Sequence, residues 1–250
     1  GMIWKEVARQ YLTVFNEVKR ERERSPRPVS QTKTAGNVPL EIPQPRLDHV
    51  IRLTDDVGIL QHAKFIVPDR HHGYCTDDNA RALIAVLMAQ DMISDGGNAA
   101  NLACTYISFL HHAFDDSKNR FHNFMGYDRR WQEEVGSEDS HGRAIWGLGI
   151  AVALARSDDI RAAAQTLFEK ALPTVIDFSS PRAWAFALVG IKGYLSRFSG
   201  DSEVRRIRER LADKLLNLYR ANAGDGWPWI EDRVAYANGR ISHALIRTGH

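Results

Sequence analysis

Long hydrophobic runs are missing from this sequence of 250 residues. The longest, AIWGLGIAVALA at 144–155, is well short of the roughly 20 apolar residues that span a bilayer. A membrane span is therefore not expected. Cysteine is scarce as well. Cys75 and Cys104 cannot build a disulfide framework, which favours a reducing compartment and a cytoplasmic location. No signal-peptide pattern stands at the N-terminus, and Gly1 before Met2 reads as an expression scar. Net charge is nearly absent too: 33 basic and 31 acidic residues leave +2. No strong field draws such a chain to nucleic acid or to a membrane surface. The basic-looking VKRERERSPRP alternates in sign and reads as a solvated helix end.

Strand signals are few. The best is NRFHNFMGYDRRWQ at 119–132, alternating around Gly126, which predicts a small β-hairpin flap. Helical periodicity dominates elsewhere. Residues 1–24 carry Ile3, Val7, Tyr11, Val14, Phe15 and Val18 at helical spacing, giving one apolar stripe and one charged face. Residues 25–45 hold five of the nine prolines and read as a linker. From 46 to 250 two kinds of helix alternate. Those near 78–92, 141–156 and 182–197 are apolar nearly all round. Those near 98–114, 159–172 and 202–221 are amphipathic. A helix apolar on every side must be surrounded by protein, and an amphipathic one covers it. The fold class expected is all-α, an array of helical hairpins with inner and outer members.

The inner helices repeat at their starts. Asn79-Ala80-Arg81 matches His141-Gly142-Arg143 and Asn238-Gly239-Arg240, with Ser180-Pro181-Arg182 a weaker copy. Each follows an acidic or aromatic loop, a repeat of roughly 45–60 residues. Inner helices of one array point the same way, so these loops open on one face as a concave, polar mouth.

At these residues RLTDDVGILQHA, GYCTDDNARALI, GSEDSHGRAIWGLG and WPWIEDRVAYANGR resemble a domain found downstream of bacterial GT-B glycosyltransferases, within the six-hairpin (α/α) toroids of carbohydrate-active enzymes. IWKEVARQYLTVF resembles the helix that closes a GT-B domain. The resemblance implies an (α/α) toroid, here incomplete because the sequence stops inside a fourth inner helix. It also implies an oligosaccharide or sugar ligand, with a glycosyltransferase domain as neighbour.

Glycoside hydrolysis needs two carboxylates facing each other across a sugar. Asp77 or Asp78 with one of Glu138, Asp139, Glu231 or Asp232 is the natural pairing, because neighbours in sequence cannot face one another. The competing role for Asp77 and Asp78 is helix capping. For Glu138 and Asp139 the flanking serines already offer caps. His141 and His243 fall at inner helix starts, where a sugar epimerase would place paired bases. His62, His71 and His72 match no zinc spacing, and neither a metal nor a cofactor is expected. Arg81, Arg143, Arg182 and Arg240 could grip a substrate carboxylate or phosphate, or form ion pairs that serve the repeat. Asn238 shares their register. Tyr74, Tyr127, Trp131, Trp227 and Trp229 could stack on sugar rings. A non-catalytic scaffold or glycan-binding module is the third possibility. An open array would also leave Ile241, Ala244, Leu245 and Ile246 facing water, which predicts a homodimer or a lid made by residues 1–24.

Overall fold

The computed structural model describes residues 4–25, 44–92 and 96–249. The predicted linker at 25–45 lies almost wholly outside them. The chain divides after Pro43 into two units. The first contains helix α1 (Trp4–Arg24), whose Tyr11, Leu12, Phe15 and Val18 are exposed. Glu6 and Arg9 pair along its surface at 2.7 Å.

The second unit is mostly helical, in the order α2 (Asp48–Leu53), β1 (Leu60–Lys64), β2 (Val67–Cys75), α3 (Thr76–Ala89), α4 (Gly96–Ala113), β3 (Phe114–Asp115), β4 (Arg120–Phe121), β5 (Phe124–Met125), α5 (Glu138–Leu154), α6 (Asp158–Ala171), α7 (Pro181–Leu195), α8 (Ser202–Asn222) and α9 (Asn238–Gly249). Among the described residues no helix is long and apolar enough to cross a membrane.

Periodicity sorted α5 and α7 from α6 and α8, whereas α3 keeps one exposed face at Arg81, Ala85 and Met88. In α7 thirteen of fifteen residues are buried, as a helix apolar on all sides requires. In α6 only Ala164, Leu167, Phe168 and Ala171 are buried, a single stripe at helical spacing. Inner helices α3, α5, α7 and α9 pack side by side in chain order, and α4, α6 and α8 cover α3, α5 and α7. The starts are set by local chemistry. Ser137, Ser157 and Ser180 each accept a hydrogen bond from a first-turn amide, and Asp201 accepts two. These are side-chain caps on otherwise unpaired N–H groups.

Glycine decides how closely α5 and α7 approach. A Cβ at Gly149 would fall inside the backbone of Gly190, and one at Gly190 would strike the backbone of Ile145 and Trp146. One at Gly142 would lie 2.8 Å from the Ala183 carbonyl oxygen. Residues 142 and 149 thus face 183 and 190 in one register, so the two helices run parallel. Gly147 meets Ala80 of α3 in the same way.

Two expectations are corrected. The segment 119–132 is not one hairpin: β4 pairs with β3, while β5 adds to a sheet of order β1–β2–β5. Within the segment a short hairpin does close: Met125 bridges Trp131, and the Gly126 and Gln132 amides donate to the Arg130 and Phe124 carbonyls. The main hairpin lies at 60–75, interrupted by an irregularity between Leu60 and His62. The second correction concerns α9. Ile241 and Ala244 are fully buried, because α9 packs on α7 and α8. Leu245 is partly buried against the core, and only Ile246 is exposed.

Replacement of Gly190 by alanine removes a helix penalty of about 1 kcal/mol but forces two backbones apart, an overpacking cost of ~3 kcal/mol or more. The thermal midpoint of Gly190→Ala is expected to fall by several degrees. At Gly200 an added Cβ meets nothing, so Gly200→Ala should melt with the wild type. Equal midpoints for all three proteins would contradict the close approach.

Candidate functional site

Because the inner helices are parallel, their N-termini converge. Between them lies a cleft of about 500 Å³ whose lining includes Arg81, Arg143, Trp146, Phe186, Arg240 and His243. Its wall is a stack. Trp146 and Phe186 lie nearly parallel at 5.7 Å, the Arg240 guanidinium sits 4.0 Å over Trp146, and that of Arg143 sits 4.2 Å over Phe186. Stacking of this kind fixes a guanidinium plane while leaving its N–H edges free.

The acids of the mouth are all engaged. Arg81 pairs with both Asp77 and Asp78. Neither aspartate caps α3, whose N-cap Cys75 makes no side-chain cap; they flank the buried Cys75 thiol at 2.7 and 2.9 Å instead. Burial, then the two carboxylates, push that thiol far above its usual range. The Cys75 sulfur and an oxygen of each aspartate lie within 4.8 Å of one another. A cation there would have to displace both the thiol proton and Arg81.

Arg143 Nε stands between Asp139, at 2.7 Å, and Asp77, at 3.8 Å. Arg143 thus joins the first turns of α3 and α5 through their acids. Asp139 also accepts from the Tyr236 hydroxyl at 2.8 Å. Partial burial and that carboxylate push Tyr236 up to about 12. Glu138 reaches across to α7 and accepts the amides of Ser179 and Ser180 at 2.9 and 2.7 Å. It serves the start of a neighbouring helix. Glu231 forms a two-pronged pair with Arg182, both bonds at 2.8 Å, and Arg182 also donates to Asn238 and to the Tyr236 carbonyl. Asp232 pairs with Arg233 on the surface.

The remaining candidates are scattered. His141 is fully buried between Phe121 and Phe178. Its Nε2 meets the Ala171 carbonyl at 3.0 Å, so that nitrogen carries the proton and Nδ1 is left buried without a partner. Burial holds its pKa down at about 3. His243 lines the cleft without it. Tyr74 is buried and donates to Asp55 at 2.6 Å. Trp131 stacks on His122 at 4.9 Å, Trp227 donates to the Glu231 carbonyl, and Trp229 is partly buried with an unpartnered Nε1. Tyr127 stacks on Tyr74 under Arg70. None of these five aromatics lines the cleft.

Trp146 and Phe186 were not anticipated. Each stacks on a guanidinium from another helix, Phe186 on Arg143 and Trp146 on Arg240, so spacing within one helix carried no signal for them. A scan against protein-family models, a search of curated proteins and a search of solved structures each find no match.

Two outcomes follow from these contacts. Arg182 is only 6% exposed at its side chain, so Glu231→Ala strands a buried charge and should cost about 3–5 kcal/mol of stability, read by urea denaturation. A cost below about 1 kcal/mol would make Glu231 a surface acid in energetic terms. His141 binds its proton near 6.5 when unfolded and near 3 when folded, so its contribution to stability is lost as pH falls through that window. Denaturation of His141→Gln between pH 7 and pH 4 should show a shallower loss than wild type. Parallel pH profiles would place His141 in water.

Proposed function

We propose that the second unit is part of an (α/α) toroid that binds a carbohydrate in the cleft at its inner-helix N-termini, gripping it without cleaving it. The reading joins the motif resemblance to one observation. Every acid offered for catalysis is already committed to an arginine, a thiol or a backbone amide, while the cleft wall is built of stacked guanidinium groups. Aromatic rings hold these planes so that their N–H edges meet hydroxyls or ring oxygens without further ordering cost. An epimerase would need two bases in one place, and only His243 of the histidine pair stands there. The resemblance of residues 3–15 to a GT-B closing helix supports attachment to a glycosyltransferase that makes or holds the same glycan.

A panel of oligosaccharides tested by calorimetry and thermal shift is the direct test. Binding should raise the melting temperature without releasing new reducing ends, and Trp146→Ala, which frees Arg240, should weaken it at least about tenfold, or ~1.4 kcal/mol. New reducing ends would establish hydrolysis. Absence of heat or shift with every sugar would leave a scaffold.

A further inference from the structure

The nitrogens of Arg143 and Arg240 are unequally used. Arg143 spends Nε on Asp139, and Arg240 spends one terminal nitrogen on His243 Nδ1 at 3.1 Å. Among the described residues no partner holds the two terminal nitrogens of Arg143, or Nε and the second terminal nitrogen of Arg240. Arg81, Arg143 and Arg182 each have a carboxylate within 3.1 Å. Arg240 has none among the described residues, although it lines the same cavity and lies partly buried. Its charge is met by aromatic faces, Trp146 at 4.0 Å and Phe186 at 5.9 Å, contacts worth a fraction of an ion pair. Acceptance at His243 Nδ1 fixes that ring with its proton on Nε2, so the imidazole adds one more donor. The cavity thus presents two forks and an imidazole N–H, held by stacking, with no acid beside Arg240 to answer them.

We propose that the ligand of this cleft carries an anionic group, a phosphate or a carboxylate, clasped between the forks of Arg143 and Arg240. The proposal rests on the carbohydrate reading above and narrows it to an acidic or phosphorylated sugar. Planar guanidinium edges match the oxygens of both groups and bind them two at a time. A neutral sugar could use the same donors, but it would leave the Arg240 charge uncompensated in a partly desolvated site, which disfavours it against an anionic competitor.

The test is calorimetric titration of the full chain with glucose, galactose and mannose, each as the free sugar, the uronate and the 1-phosphate. At least one anionic form should bind about tenfold or more tightly than its neutral parent. Arg240→Gln should erase that advantage, Arg240→Lys should restore part of it by returning charge without the fork, and Arg247→Gln, on the same helix, should leave it intact. Melting curves of the three variants confirm that each is folded, which the partial exposure of Arg240 favours. Uronate and phosphate arms separate the two anion sources. Equal binding of neutral and anionic sugars would overturn the inference while leaving the carbohydrate reading in place. An anionic advantage that survives Arg240→Gln would overturn it too, and failure of the whole panel to bind would remove both.

Discussion

Where α5 and α7 approach most closely, the contact is made by backbone. Gly142, Gly149, Gly190 and Gly193 occupy the places where any Cβ would run into the facing helix. That proximity is bought with glycine's low helix propensity, about 1 kcal/mol for each residue. It is recovered by packing at a distance that Ala, Val or Leu would forbid. Three parallel helices drawn together in this way, with α9 packed on α7, bring four N-termini into one small region, and the rest of the architecture has to accommodate the result.

Convergence concentrates charge. Each start carries an arginine at the same register, and four guanidinium groups cannot share a partly buried region unanswered. The acids at the junction of loop and helix provide the answer: Asp77 and Asp78 for Arg81, Asp139 for Arg143, Glu231 for Arg182. This explains why pairs of carboxylates precede the most apolar segments of the chain. Placed beside a core, each of these acids meets an arginine of the repeat. Glu138 extends the same logic across helices, supplying negative charge to the start of α7 where exposed amides and the helix dipole favour it. Arg240 departs from the pattern, and the cleft is organised around that departure.

Much of the helical layout was legible because its causes are local. A change from all-round to one-sided hydrophobicity separates α5 and α7 from α6 and α8, and Ser137, Ser157, Ser180 and Asp201 mark starts by their capping chemistry. The hairpin at 60–75 escaped notice because its signals are inverted. Its turn carries the exposed apolar residues Phe65 and Ile66, with Phe65 at φ +58°, where glycine or asparagine would be expected. Its strands carry histidine, aspartate and proline. In the segment 119–132, β4 turns back on β3 just before the segment begins, and β5 pairs with distant β2, a partner that local alternation cannot reveal. Burial of Ile241 and Ala244 depended on the docking of α9 against α7. At the site, the arginine register was readable, but the identity of each partner was not. The reach of Glu138 to Ser179 and of Glu231 to Arg182 crosses more than forty residues, and the stack of Arg143, Phe186, Trp146 and Arg240 joins three helices.

The dependence of the whole arrangement on the α5–α7 contact is most directly tested by native-state amide hydrogen exchange. If these two helices form the last part of the fold to open, the amides of Ile145–Val152 and Trp184–Ile191 exchange only through global unfolding. They should then be the slowest in the second unit, slower than those of α6 and α8. Exchange from α5 and α7 at the rate of the outer helices, or through local opening with a lower free energy, would contradict the account.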